Sequence, residues 1–289
     1  NEVRHIISFT VEGVLEEERI LHALNAIRHV INLKLDQQKL VNMFLEARDI
    51  QMSLLPSEPP EFWGFDFAGR MVPAETVGGD LFDYIPISDR ILGFAVADSA
   101  GHGLPAALQA RDVITGMRMG LEEDMKIIRT VQKLNRVIHR SNLATKFVSL
   151  FYGELERNGN FVYCNAGHPP PLLYQNGSFK QLDLGGIVLG PTPDAKYERG
   201  FLVLRPGDIL VLYSDGVSEA GSLQGKEFGL KRIEDLIRKL ASRPAAAIVD
   251  GILQAVEEYC GPDCQHDDRT LVVIKPPPAE PAAEGASSS

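Results

Sequence analysis

Aspartates stand at four places where strand-like runs of this sequence meet turns. These places are Gly78-Gly79-Asp80 before one run, Asp98 and Asp215 at the ends of two others, and Asp267-Asp268 before the last. Carboxylate oxygens are the ligands that hard dications such as Mg²⁺ and Mn²⁺ prefer in proteins. Two such ions side by side can activate a water molecule and stabilise an in-line displacement at phosphorus. If the fold brings the four places together, they indicate metal-assisted hydrolysis of a phosphate ester.

Each aspartate alone also fits a structural role, because aspartate is common in turns and at helix starts. Three other kinds of site fit the sequence less well. Gly101 and Gly103 before a helix suggest dinucleotide binding, but Ala106 replaces the third glycine of that fingerprint. Residues 260–266 contain two cysteines and a histidine but no fourth zinc ligand at a recognisable spacing. The acidic segments lack the regular alternation of ligands that a calcium-binding loop needs.

The composition excludes several classes of protein. Of the 289 residues, 44% are hydrophobic and 24% are charged, and the formal net charge of −10 leaves no basic stripe for nucleic acid. No apolar run approaches the roughly 20 residues that span a bilayer, and no signal peptide opens the chain. Three cysteines make no disulfide framework, which indicates the reducing cytoplasm. The chain begins without methionine, which leaves open an upstream segment that tethers it.

A helical pattern without internal proline runs from about residue 12 to residue 55. Its apolar residues form two seams, over residues 20–31 and 40–54, which are out of register across residues 33–39. This mismatch predicts a break, a stagger or a hinge. The pattern fits two structures equally well. One is a helix that packs on its own domain, and the other is a dimerising coiled coil that transmits a signal. Pro56 and the prolines after it end the helix, so we place a domain boundary there.

The remaining chain has the texture of short strands with two pairs of helices. Asn158-Gly159 and Asn176-Gly177 are typical of hairpin turns. The order of a hairpin, a helix pair, several antiparallel strands, a second helix pair and a closing strand predicts an α+β fold of two stacked antiparallel sheets covered by helices. We therefore expect a helical linker over residues 1–56, a catalytic domain over 57–276 and a disordered tail over 277–289.

Five motifs occur in an order that resembles the PPM-type metal-dependent serine/threonine phosphatases, and more narrowly their bacterial SpoIIE/RsbU branch. The motifs are Gly78-Gly79-Asp80, Asp98-Ser99-Ala100-Gly101-His102-Gly103, Asn165-Ala166-Gly167-His168-Pro169, Ser214-Asp215-Gly216-Val217-Ser218-Glu219-Ala220 and Asp267-Asp268-Arg269-Thr270. The resemblance covers about residues 50–275. It implies an α/β/β/α four-layer sandwich with a centre of two Mn²⁺ or Mg²⁺ ions at one edge.

The resemblance also implies a role for each residue of the centre. Asp98 would bridge both ions, the Ser99 carbonyl would bind one of them, and Asp80 would act directly or through a water molecule. Asp215 and Asp268 would hold the second ion. Asp267 is the less favoured ligand of its pair, because we expect the family's aspartate to be the one nearer the threonine.

The nucleophile implied by the resemblance is metal-bound hydroxide, so no phosphoenzyme is expected. The larger eukaryotic members grip phosphate with an N-terminal arginine, for which this sequence offers no confident counterpart. His102 and His168 are candidates for a general acid. His102 lies in a turn where the histidine is replaceable, and the proline-rich surroundings of His168 favour a structural loop.

The leading hypothesis is a Mn²⁺- or Mg²⁺-dependent phosphatase acting on phosphoserine or phosphothreonine. By resemblance, its substrate would be a phosphorylated STAS-domain anti-sigma-factor antagonist in a bacterial partner-switching stress pathway. The helix before Pro56 would pass a signal from an upstream sensor domain or an activating partner, in a homodimer. Two alternatives remain open. One is a catalytically silent regulatory module of the same fold that binds a signalling partner, and the other is a phosphatase for small-molecule phosphates.

Overall fold

The computed structural model describes residues 17–120, 126–141, 147–222, 225–261 and 267–278. These residues form two compact units that divide between Glu46 and Ala47. This division precedes the predicted boundary at Pro56, which stays a prediction. Nearly all of the predicted disordered tail lies outside the described residues, as do Cys264 and His266 of the zinc motif.

Residues 17–46 of the first unit are helical, and residues 47–52 of the same helix belong to the second unit. Helix α1 (Glu17–Met52) is continuous through residues 33–39, so the mismatch of its two apolar seams produces no break in the helix. Many of its apolar side chains are exposed, among them Leu21, Val30 and Leu40. Of the helices in the described ranges, none combines the length and the hydropathy that crossing a membrane would require.

The second unit contains two sheets. The five strands of the first sheet are β1 (Asp66–Val72), β6 (Leu172–Gln175), β7 (Ser178–Gln181), β10 (Ile209–Tyr213) and β11 (Arg269–Lys275). They are arranged in the order β1-β11-β10-β6-β7, and each pair of neighbours is antiparallel. Asn176-Gly177 makes the turn of the predicted hairpin between β6 and β7, with Asn176 at a φ of 50°.

The second sheet contains β2 (Asp80–Ser88), β3 (Ile91–Ser99), β4 (Val148–Glu156), β5 (Asn160–Ala166), β8 (Gly185–Gly186) and β9 (Gly200–Val203). Strands β2, β3, β4 and β5 follow one another as antiparallel neighbours, and the two-residue β8 pairs parallel to β5. The Pro206-Gly207 turn connects the sheets, because β9 before it pairs with β5 whereas β10 after it lies in the first sheet.

Helices cover the outer faces of both sheets. These helices are α2 (Gly103–Gly120), α3 (Ile127–Arg140), the single turn α4 (Asp215–Ser218), α5 (Leu230–Leu240) and α6 (Ala245–Cys260). The cluster between the second sheet and its helices includes Ala97, Val113, Val131 and Leu150. The cluster between the first sheet and its helices includes Val211, Ile237, Ile252 and Leu271. The predicted α/β/β/α sandwich is confirmed.

A third apolar cluster fills the space between the two sheets. Side chains alternate between the two faces of a strand, so a residue two positions from a member of this cluster lies on the same face of its sheet. Val96 of β3 belongs to this inner cluster, so Asp98, two residues further on, lies on the same side of its sheet. Val272 of β11 also belongs to it, so Thr270 lies on the facing side of the other sheet. Both sheets therefore present polar residues to the same edge of the inner layer.

Candidate metal centre

Asp80 and Asp98 lie directly opposite each other on neighbouring strands. The register of β2 and β3 pairs their Cα atoms, and the Ser99 amide donates a hydrogen bond of 3.1 Å to the Gly79 carbonyl just beyond that pair. Cross-strand partners project from the same face of a sheet. The two carboxylates therefore lie next to each other at the edge of the inner layer.

Burial and mutual repulsion favour the protonated forms of these two groups. Burial, followed by the nearby charge of Asp98, raises the pKa of Asp80 well above its ordinary value. Burial and the charges of Asp215, Asp267 and Asp268 raise the pKa of Asp98 to about 7. The side chain of Asp98 on the second sheet is thus within electrostatic reach of three carboxylates on the facing sheet.

Asp215 and Asp267 supply carboxylates from that facing sheet. Asp215 begins α4 directly after β10, and Asp267 lies two residues before β11. Burial raises the pKa of Asp215, with smaller contributions from Glu219 and Asp268. Burial also raises the pKa of Asp267, and the charges of Asp215 and Asp268 add to that shift. These two side chains and Asp98 therefore form one electrostatically connected group.

Asp268 faces the protein backbone rather than solvent. Its Oδ1 accepts a hydrogen bond of 2.7 Å from the Ala74 amide, and its Oδ2 accepts one of 2.5 Å from Gly79 and one of 3.3 Å from Asp80. Its neighbour Asp267 is the more exposed residue of the pair, and its Oδ1 accepts a hydrogen bond of 2.8 Å from the Asp268 amide. The two adjacent aspartates thus have different surroundings.

Close backbone approach explains two glycines of the site. A Cβ at Gly79 would lie 2.7 Å from the Ser99 carbonyl oxygen, which is closer than real Cβ contacts allow. A Cβ at Gly216 would lie 2.0 Å from the carbonyl oxygen of Asp268. Glycine at these positions lets neighbouring segments at the edge of each sheet lie close together without a side chain between them.

The two candidate histidines occupy different environments. His102 is exposed, and its Nδ1 lies 3.1 Å from Oε1 of Glu75. His168 is buried, and its Nδ1 shares a hydrogen bond of 2.8 Å with the Ser149 hydroxyl. Burial lowers the pKa of His168 to about 3, so this ring is neutral and has the structural surroundings that the sequence indicated. Ser149 pairs with Asp98 across β3 and β4, which places the histidine behind the site.

Sequence reasoning missed Gln51 at the end of α1. This side chain is buried and bonds both backbone groups of Gly78: its Nε2 donates to the carbonyl, and its Oε1 accepts from the amide at 3.0 Å. The signal that could have revealed it is a glutamine within the apolar seam that ends at Pro56. Gln51 ties the end of the helix to the loop that carries Asp80.

The donor set fits a divalent cation in its chemistry. Oδ2 of Asp80 is buried and accepts no hydrogen bond within the described residues, and the surrounding groups are hard carboxylate oxygens. In the described ranges, no three ligating side chains are close enough together to form a finished coordination shell. Burial, with a smaller contribution from repulsion between the carboxylates, raises their pKa values.

The two-sheet sandwich covered by helices is the fold of PP2C phosphatase domains of known structure. The family model described as "Stage II sporulation protein E (SpoIIE)" matches residues 88–277. The chain belongs to the SpoIIE family. The expected resemblance to the PPM-type SpoIIE/RsbU branch is confirmed.

Similar proteins support the same class. Phosphoserine phosphatase RsbU of Bacillus subtilis is 28% identical over 281 residues, which cover 95% of this chain and 80% of RsbU. The structure of the RsbU and RsbW domains of Rv1364c from Mycobacterium tuberculosis is 27% identical with a TM-score of 0.65, over 75% of this chain and 61% of that one. The SiaA-PP2C domain of Pseudomonas aeruginosa gives a TM-score of 0.71 at 23% identity, over 83% of this chain and 98% of that one, and shows the fold. The predicted enzyme class, a protein serine/threonine phosphatase, is confirmed.

Proposed function

We propose that this chain hydrolyses phosphoserine or phosphothreonine on a partner protein with the help of two Mn²⁺ or Mg²⁺ ions. The observation that carries the proposal is the meeting of carboxylates from both sheets at one edge of the inner layer. Asp98 of the second sheet is under the electrostatic influence of Asp215 and Asp267, which come from the ends of strands in the first. In the absence of cations such a cluster takes up protons, and bound divalent cations would favour its ionised form instead.

Five groups would hold the ions in this proposal. They are the carboxylates of Asp80, Asp98, Asp215 and Asp267 and the carbonyl oxygen of Ser99. We favour Asp267 over Asp268, which reverses the assignment expected from the sequence. The reason is that both oxygens of Asp268 already accept backbone amide hydrogens, whereas Asp267 is exposed beside Asp215 and Asp98.

Bound divalent ions would supply positive charge to the phosphoryl group and activate a water molecule for attack. The protein contributes fixed geometry. The paired strands hold Asp80 opposite Asp98, and Gly79 permits the close approach of the Ser99 carbonyl. Glu75 lies against Nδ1 of His102, and His102 is exposed beside the site. The serine or threonine hydroxyl of the product would leave toward this exposed side.

The relatives indicate the class of substrate. RsbU is named a phosphoserine phosphatase, which supports phosphoserine as the phosphate ester. By the same resemblance, the partner would be a phosphorylated STAS-domain protein in a partner-switching pathway. The exposed apolar residues of α1 would serve a homodimer that receives a signal from an upstream domain or partner.

The test is phosphate release from a phosphorylated STAS-domain protein, measured with Mn²⁺ present. Asp98→Asn should lower turnover by a factor on the order of a thousand, since it removes a charge from the proposed centre. Asp208→Asn is the matched control, because Asp208 is also buried but lies at the opposite end of β10. Near-parental turnover in Asp98→Asn would contradict the proposal.

Turnover of a sugar phosphate at the rate of the phosphoprotein would favour the small-molecule alternative. No release from any phosphoprotein would favour the silent module.

A further inference from the structure

The loop between β1 and β2 crosses from one sheet to the other, and Asp268 bonds to both of its ends. At the start of the loop, the Ala74 amide donates to Oδ1. At its end, the Gly79 and Asp80 amides donate to Oδ2. One buried carboxylate therefore fixes the entry and the exit of the segment that carries Asp80.

The contact between this loop and the Asp268 carboxylate requires a residue without a side chain at position 78, and that residue is Gly78. A Cβ at that position would lie 2.4 to 2.7 Å from the carboxylate atoms of Asp268. Real Cβ atoms do not approach other atoms so closely, so any side chain at residue 78 would push the loop and the carboxylate apart. The backbone of Gly78 does not have positive φ, which leaves this close approach as the reason for glycine.

Asp268 is itself held against the strand that leads to Asp215. The Ser214 hydroxyl donates to the Asp268 carbonyl at 3.2 Å and accepts from the Thr270 amide at 2.9 Å. The backbone of Gly216 lies against the same carbonyl. The carboxylate of Asp268 thus links the loop before Asp80 to a fixed point beside Asp215.

We propose that Asp268 is a positioning residue that clamps the loop over residues 74–80 and so sets Asp80 against the carboxylates of the other sheet. This role rests on the proposed metal-dependent function of the site. In this role, Asp268 would influence cation binding by fixing the position of Asp80. Its neighbour Asp267 would bind a cation in this proposal, so the two aspartates would have different roles: Asp268 would hold the loop and Asp267 would act as a ligand.

The test compares Asp268→Asn with the control Asp208→Asn. Asparagine keeps one acceptor oxygen but replaces the other with an NH₂ donor, which opposes the donating amides. Asp208 is a suitable control because it is buried, accepts the Arg205 amide at 2.8 Å and lies far along β10 from the site. In metal-free protein, hydrogen–deuterium exchange of the peptide containing Gly79 and Asp80 should be about tenfold faster in Asp268→Asn and unchanged in the control.

The second readout is Mn²⁺ binding, measured by calorimetry. Asp268→Asn should raise the dissociation constant for Mn²⁺ by about tenfold, because a loosened Asp80 must be ordered before it binds. Unchanged exchange together with weakened Mn²⁺ binding would make Asp268 a ligand and overturn the proposal. Faster exchange with unchanged Mn²⁺ binding would also overturn it, because the loop would then not position the site.

Gly78→Ala provides a second variant if Asp268→Asn does not fold. It leaves the carboxylate in place but displaces the loop from it, so we expect faster exchange and weaker Mn²⁺ binding in the same direction. Parental values for both quantities in Gly78→Ala would contradict the clamp. Neither readout uses phosphate release, so a failure of the proposed substrate is separable from a failure of this assignment.

Discussion

At the scale of single residues, the sequence predicted the positions of the candidate carboxylates at strand ends but not their individual surroundings. Asp80 and Asp98 could be predicted because each borders an apolar strand at a glycine-containing turn. The choice between Asp267 and Asp268 could not. Adjacent residues point in opposite directions as a strand begins, so a shift of one residue exchanges the side chain at the site with the one against the backbone. Only the hydrogen bonds of Asp268 distinguish the pair.

A prediction about a single residue concerns the effect of His168 on the pH dependence of stability. The pKa of its buried ring is lowered to about 3, below the ordinary value of 6.5. The unfolded chain therefore takes up a proton below pH 6.5 that the folded chain does not, and stability falls as the pH falls from 6.5 toward 3. As the pH falls from 7.5 to 4.5, His168 should lower the free energy of unfolding by about 2.5 kcal/mol.

Urea unfolding of the parent and of His168→Gln at several pH values measures this effect. The carboxylates titrate in the same range, so the informative quantity is the difference between the two proteins. The parent should lose more stability on acidification than His168→Gln. Exposed His29→Gln controls for loss of an imidazole elsewhere. Equal losses in the parent and in His168→Gln would rule out a buried neutral ring.

At the scale of elements, the end of α1 is tied to the site loop. Gln51 bonds both backbone groups of Gly78, and Arg118 of α2 joins the segment after α1 to β2. The Arg118 guanidinium donates to the Leu54 carbonyl at 3.0 Å and to both carboxylate oxygens of Asp83. The helical pattern predicted α1, but its seam placed Ile50 inside. The structure exposes Ile50 and buries Gln51, because the last turn faces the polar loop and not an apolar surface.

Gln51→Ala tests whether this connection affects the site. Loss of two hydrogen bonds to Gly78 should loosen the loop before Asp80 and raise the dissociation constant for Mn²⁺ several-fold. Calorimetric titration of the metal-free protein measures that constant. Gln38→Ala, an exposed change on the same helix, should leave it unchanged. A parental Mn²⁺ affinity in Gln51→Ala would remove the support for a path from α1 to the site.

At the scale of the whole second unit, the layered fold creates the site by bringing the edges of two sheets together. The order of strands and helices was sufficient to predict the sandwich, because each helix pair lies in the chain between two strands of the sheet that it covers. The crossing of the chain between sheets was harder to foresee. The segment over residues 73–79 and the Pro206-Gly207 turn each join strands of different sheets. Hydrophobic alternation reveals which face of a strand is buried but not which sheet it joins.

The central claim is that carboxylates from both sheets form one divalent-cation centre. Calorimetric titration of metal-free protein with Mn²⁺ tests it most directly, with Asp98→Asn and Asp267→Asn as the site variants and Asp208→Asn as the control. The account predicts saturable Mn²⁺ binding in the parent and the control, and a dissociation constant at least about tenfold higher in both site variants. Parental Mn²⁺ affinity in Asp98→Asn and Asp267→Asn would contradict the account.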